Sequence, residues 1–202
     1  MLGALAAIYV VHLAAAISPG PAILMAARTG MTEGFARSLW LSVGIGLGAT
    51  VWAAAALFGL SVLFAMAPAA LVALKLAGAA YLIWIALQIW RHAPDPVPVP
   101  DGATPRGRGA LLWRGLATQL ANPKPAVFFG TVFLTFVPPE APAWVFPVIL
   151  GIVFVNDAGC AMLIARLFSL EPARRRYLGL KTLFERSFGA LLAGLGVKLA
   201  LT

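Results

Sequence analysis

Charge is scarce in this sequence. Only 11% of its 202 residues are charged, whereas 61% are hydrophobic. A soluble domain of this length needs a polar surface that such a chain cannot supply, and lipid is the solvent that fits. Short segments of alternating polarity are missing too, which excludes a closed membrane barrel. The chain has instead apolar runs near the roughly 20 residues that carry a helix across the hydrocarbon core. Cysteine is almost absent. Cys160 stands alone in an apolar stretch, so no intrachain disulfide can form and the residue reads as small core filling. His12 and His92 lie far apart with no cysteine nearby. That leaves no metal-ligand cluster, and neither a metal nor another cofactor is expected.

Hydropathy marks six spans: Leu2–Ala27, Ser38–Met66, Ala69–Trp90, Gly115–Val137, Trp144–Ala165 and Phe188–Leu201. Ala14-Ala15-Ala16 resembles a signal-peptidase site, but no positive residue precedes the first run and Arg28 follows it. It reads as a retained span. The chain carries fifteen Lys and Arg and a formal charge of +8. Twelve of the fifteen fall in the odd-numbered loops: Arg28 and Arg37, then Arg91, Arg106, Arg108 and Arg114, then Arg166, Arg174, Arg175, Arg176, Lys181 and Arg186. The loops around Ala67-Pro68 and Pro138–Ala143 have none. Positive loops stay cytoplasmic, so both termini are expected to face outward from a bacterial cytoplasmic (inner) membrane. The basic excess is then topological, with membrane lipid as a partner and no role for nucleic acid.

Between Pro94 and Pro105 the chain reads P-D-P-V-P-V-P-D-G-A-T-P. Proline at this density favours an extended, solvated tether. The expected organisation is a first three-span half over 1–93, a Pro-rich cytoplasmic linker over 94–113 and a second three-span half over 114–202. Each half opens on a broken helix. Span one contains Ser18-Pro19-Gly20-Pro21-Ala22-Ile23 and span four contains Asn122-Pro123-Lys124-Pro125-Ala126-Val127, 104 positions later. Halves of three spans have opposite orientations, so the repeated motif predicts an inverted-topology repeat. The fold class expected is therefore all-α and integral to the membrane, about six helices as two inverted three-helix repeats with helices 1 and 4 broken.

Two prolines within three residues remove two helical donors, while Ser-Pro and Asn-Pro suit the N-cap and first turn of a new helix. At about 1.5 Å per residue, both breaks fall roughly 12–15 Å from the cytoplasmic boundary, near the midplane. Broken backbone at that depth survives only against protein or a water-filled cavity. A helix N-terminus there is a seat for a carboxylate. Ser18, Pro19, Gly20 and Pro21, with Asn122, Pro123, Lys124 and Pro125, are accordingly the candidate substrate-binding residues. Asp157 lies in the middle of span five beside Asn156. An ionisable residue at that depth is costly and faces the interior, which makes Asp157 the candidate for proton coupling or for a substrate amine, with Asn156 beside it. Lys124 either pairs with a carboxylate or snorkels towards the boundary, as Lys75 and Lys198 do. Gly44 and Gly48 form a small-residue pair for close helix packing. A homo-oligomer is compatible with these features without being required by them.

Together these residues resemble the LysE/RhtB family of amino-acid exporters, over nearly the whole chain. Ser18-Pro19-Gly20-Pro21 resembles its Pro-Gly-Pro signature, and Gly44 to Gly48 its glycine repeat. Gly78-Ala79-Ala80-Tyr81-Leu82 and Asn122-Pro123-Lys124 resemble two further motifs, and Phe188-Gly189 to Lys198-Leu199 its last span. The resemblance implies efflux of amino acids or their derivatives driven by the proton-motive force, as antiport, by a protein that is not an enzyme. Many members carry acidic residues where this chain has Ala22 and Ala49, which shifts weight onto Asp157. Two alternatives stand beside this reading. One is an exporter of another small solute. The other is a membrane-embedded non-transport protein, an enzyme or assembly factor, whose one candidate nucleophile–base pair is Ser18 and Asp157 with no His or Cys placed to assist.

Overall fold

The computed structural model describes residues 1–18, 20–66, 68–95, 107–138 and 140–201, which form eight α-helices. They are α1 Leu2–Ile17, α2 Pro21–Glu33, α3 Phe35–Met66, α4 Pro68–His92, α5 Arg108–Leu120, α6 Pro123–Phe136, α7 Val145–Ser169 and α8 Glu171–Leu201. Most of the linker expected over 94–113 lies outside the described residues.

Both expected breaks are present, but they are built differently. α1 ends where Ser18 turns extended at φ −66°, ψ 134°, as a residue before proline prefers. α2 starts three residues later at Pro21, with Gly20 at its N-cap. Ser18 is therefore the C-cap of α1 and not the N-cap of the next helix. The second break follows expectation. Asn122 caps α6, its side chain accepting from the Lys124 N–H at 3.1 Å, with Pro123 in the first turn. The difference is chemical: the Asn122 amide reaches over Pro123 to the next N–H, whereas Ser18 and Gly20 are both extended and α2 takes Gly20 as its N-cap.

Among the described residues, two segments, Phe35–Gly59 of α3 and all of α7, are each long and apolar enough to cross a membrane. The pair α1 and α2, bent by 56°, makes up to a third. This is fewer than the six spans expected. α5 and α6 have 13 and 14 residues, each short of the roughly 20 that a crossing needs. The fifth loop is a further correction. With Pro172 in a first turn that tolerates it, residues after Glu171 join α8, and the predicted loop is the charged first half of that helix.

Helices from 2–92 pack chiefly against helices from 108–201: α3 on α5 and α7, α4 on α8, and α2 and α1 on α7. The α3–α5 contact depends on glycine from both sides. A Cβ at Gly44 would collide with the Leu112 carbonyl oxygen, and one at Gly115 with the Leu41 carbonyl oxygen. Gly48 admits the Gln119 side chain, and Gly46, on the next face, admits Ala158 of α7. Three basic side chains lie over aromatic rings of neighbouring helices: Arg108 on Trp40, Arg166 on Phe35 and Arg186 on Trp90. Lys198 lies over Phe136 at the far ends of α8 and α6.

The α4–α8 pair is closed by a buried ion pair. Lys181 Nζ donates to Glu185 at 2.9 Å and to the Ala93 carbonyl at 3.1 Å, and the Thr182 hydroxyl donates to the same carbonyl at 3.1 Å. Removing one member strands the other in a dry site. Lys181→Met is expected to cost about 3–5 kcal/mol, read as a lower unfolding temperature in detergent. The double variant Lys181→Met, Glu185→Leu is expected to recover most of that loss.

Candidate functional site

One cavity is lined by both breaks. Its wall takes His12, Ala15, Ala16 and Ser18 from the end of α1, Gly20, Ala22 and Ile23 from the start of α2, and Gln119 from α5. Asn122, Lys124, Pro125, Phe128 and Phe129 come from the α6 side, and Asp157 from α7. These walls enclose a small, partly open cavity. Among the residues singled out from sequence, Ser18, Gly20, Asn122, Lys124, Pro125 and Asp157 line it together. Pro21 is exposed at the head of α2. Pro123 heads α6, and Pro19 lies outside the described residues. Asn156 stands behind the wall, buried and bonded to α1.

Asp157 is 8% exposed. Its Oδ1 accepts from Gln119 Nε2 at 3.1 Å, and its Oδ2 lies 2.9 Å from His12 Nε2. His12 was set aside at the sequence level as an isolated histidine, and no His was expected beside Asp157. The packing of α1 on α7 overturns that. The imidazole is covered by Phe129 and Phe128, with ring centroids at 5.1 and 6.0 Å. Its Nδ1 lies 3.3 Å from Asn156 Nδ2, which also donates to the Tyr9 carbonyl at 3.3 Å. A carbonyl can only accept, so the amide nitrogen is the end that faces α1. Nδ1 is then the acceptor, and Nε2 carries the hydrogen that points to the Asp157 side. The signal that could have found His12 was present: it is an ionisable side chain inside an apolar span. Gln119, four residues after Gly115, gave a weaker one.

Lys124 does not snorkel. Its Nζ donates to the Ala15 carbonyl at 3.2 Å, across the cavity on α1. The anion seat expected at both half-helices also needs correcting. At α6, Pro123 and Pro125 have no N–H, the Lys124 N–H is bonded to Asn122, and the Asn122 N–H is bonded to the Gln119 carbonyl. The first turn of α6 has nothing left to offer an anion. Only α2 keeps the arrangement, with the N–H groups of Ala22 and Ile23 in a first turn that lacks intrahelical acceptors. The site thus combines a buried carboxylate, an imidazole, a lysine and one helix start.

Residues 13–202 match the family described as LysE type translocator. The threonine efflux protein of Escherichia coli (strain K12) is 30% identical over 195 residues, which covers 95% of each chain. The homoserine/homoserine lactone efflux protein of Salmonella typhimurium is 31% identical over 185 residues, covering 88% of this chain and 89% of that one. No solved structure matches.

Proposed function

The chain belongs to the LysE type translocator family, and from that premise we propose that it exports amino acids or closely related small solutes from the cytoplasm in exchange for protons. It is a multi-pass protein of the inner membrane and a transporter, not an enzyme. The proposed topology has six spans: α1 with α2, α3, α4, α5 with α6, α7 and α8. They form inverted repeats over 1–93 and 114–202, joined by a cytoplasmic linker, with both termini outward. Arg108 and Arg166 meeting Trp40 and Phe35 near the start of α3, with Lys198 at the other end of the bundle, support that orientation.

The observation that carries this reading is Asp157, a buried carboxylate between His12 and Gln119 on a cavity that both breaks line. With a zwitterion bound, the substrate amine neutralises Asp157, while the carboxylate faces the start of α2 and draws Lys124 from the Ala15 carbonyl. Once the substrate has left outward, a bare carboxylate in a low-dielectric site is expensive, and a proton takes the place of the amine. His12 stays beside Asp157 in both states. The site then changes sides only when it is occupied by substrate or by a proton, which is antiport. Relatives that export threonine, homoserine and homoserine lactone suggest substrates of that size.

Efflux from cells preloaded with a mixture of dipeptides tests this. Cells carrying the protein are expected to release threonine or homoserine severalfold faster than cells without it, and a protonophore is expected to remove the difference. Release that ignores the protonophore would remove the proton from the mechanism. No amino acid released, with the protein present in the membrane, would remove the substrate class.

A further inference from the structure

Three oxygen atoms on the cavity wall make no hydrogen bond within the protein: Ser18 Oγ, Gln119 Oε1 and Asp157 Oδ2. Their residues are 3%, 3% and 8% exposed, and they come from the end of α1, from α5 and from α7. A buried acceptor without a donor is costly, and native structures keep few of them. A wall that gathers three suits a ligand group that brings several donors at once.

Two of them are acceptors by chemistry, and the Ser18 hydroxyl can accept as well as donate. Gln119 Nε2 is committed to Asp157 Oδ1 at 3.1 Å, so Oε1 is the end left over. The Gln119 backbone is itself held, its carbonyl accepting from Trp52 Nε1 at 3.2 Å, and Gly48 leaves room for its side chain. Asp157 Oδ2 lies 2.9 Å from His12 Nε2 but off the line of the ring N–H, so it still accepts nothing. The Ser18 hydroxyl caps no helix, since Gly20 takes that position. At the other end of the cavity the attraction for a carboxylate is weaker. Lys124 Nζ is bonded to the Ala15 carbonyl, and α6 has no free N–H in its first turn.

We infer that Ser18, Gln119 and Asp157 form a subsite for a primary ammonium group, and that an unblocked ammonium, rather than a carboxylate, is what the cavity selects. An –NH3⁺ group carries three donors and a positive charge for the Asp157 carboxylate, and charge-assisted bonds are the stronger kind. A carboxylate in the same place would meet the Asp157 carboxylate and the Gln119 carbonyl oxygen, with only the Ser18 hydroxyl able to donate to it. An N-acylated amine keeps one N–H and loses the charge. This subsite rests on the export reading for its class of ligand, and it narrows that class to solutes with a free amine, whether or not the acid is free.

The test is the unfolding temperature of the full chain in detergent with threonine, threonine methyl ester and N-acetylthreonine at equal concentrations. The same set is run for leucine and glycine, and sodium chloride is compared with choline chloride. The esters are expected to stabilise as the free amino acids do, and the N-acetyl compounds to have no effect. Gln119→Leu is expected to weaken the ester by about tenfold or more, with Ser18→Ala weakening it less. N-acetyl compounds that stabilise as well as the esters would overturn the subsite, as would a complete lack of response to the ammonium ligands. Stabilisation by sodium in place of the esters would reassign the three oxygens to a metal cation. Amino-acid export combined with N-acetyl binding overturns the subsite and leaves export standing. Ester binding by a protein that exports nothing does the reverse.

Discussion

Asp157→Asn is expected to abolish uphill efflux while leaving substrate-for-substrate exchange at saturating substrate. The amide keeps the shape of the carboxylate, and its oxygen still accepts from Gln119 Nε2, so the contact at 3.1 Å in the native protein can persist. What it loses is the change of charge. In the proposed mechanism an ionised Asp157 without substrate is too costly to carry across the site, and that cost forces a proton into the empty carrier. In the variant the empty site is always neutral, and it returns without a proton. One proton moving through roughly 150 mV supplies about 3.4 kcal/mol, enough for an outward gradient of about 300-fold for a zwitterion. The variant is expected to bring that ratio to about one. Proteoliposomes with an imposed proton gradient measure the uphill component, and counterflow of labelled substrate measures the exchange. Uphill efflux that survives in Asp157→Asn would place the coupling proton elsewhere.

His12→Leu is expected to fall between native and Asp157→Asn in the same two assays. The imidazole Nε2 lies 2.9 Å from Asp157 Oδ2, and leucine removes that polar contact while keeping bulk against Phe128 and Phe129. Exchange that falls as far as the uphill component would mark His12 as packing alone.

Much of the site is visible in the chain because its signals are local. Pro19-Gly20-Pro21 and Pro123-Lys124-Pro125 must interrupt a helix wherever they stand, and a carboxylate in an apolar run such as Val153 to Ala161 stands out by cost. The Pro-Gly-Pro and Asn-Pro-Lys motifs also pointed to the family that residues 13–202 match. What sequence did not carry is pairing between distant segments. His12 meets Asp157 only because α1 packs on α7, and Gln119 reaches it only because Gly48 lets α5 approach α3. The loss of the α6 anion seat was legible in principle, since two prolines and a capping asparagine leave no donor. The different roles of Ser18 and Asn122 were not. Both residues precede a proline, and only the side chain that reaches the second N–H of the next helix becomes its cap.

Gly115→Leu and Gly44→Leu are each expected to prevent the native fold from assembling, although neither residue lines the cavity. The obstruction is backbone: the Leu41 carbonyl faces Gly115 and the Leu112 carbonyl faces Gly44. A side chain can change rotamer to admit a new carbon, but a carbonyl inside a helix moves only with its helix. Overpacking typically costs about 1–3 kcal/mol when side chains can yield. Here α3 and α5 must separate, which withdraws Gln119 from Asp157 and removes the extensive α3–α5 contact. Detergent extracts are expected to contain less than about a tenth of the native monodisperse protein, against a total stability of roughly 5–15 kcal/mol for an ordinary domain. Gly159→Leu is the control, because a Cβ there meets nothing within 4 Å, and its yield is expected to match native protein. Alanine at 44 or 115 brings the same Cβ against the same carbonyl, so α3 and α5 must part there too, by less than for leucine, and a yield between those of leucine and the native protein is expected. If Gly115→Leu gave native yield and normal efflux, the close approach of α3 and α5 would be wrong, and with it the route by which Gln119 reaches Asp157.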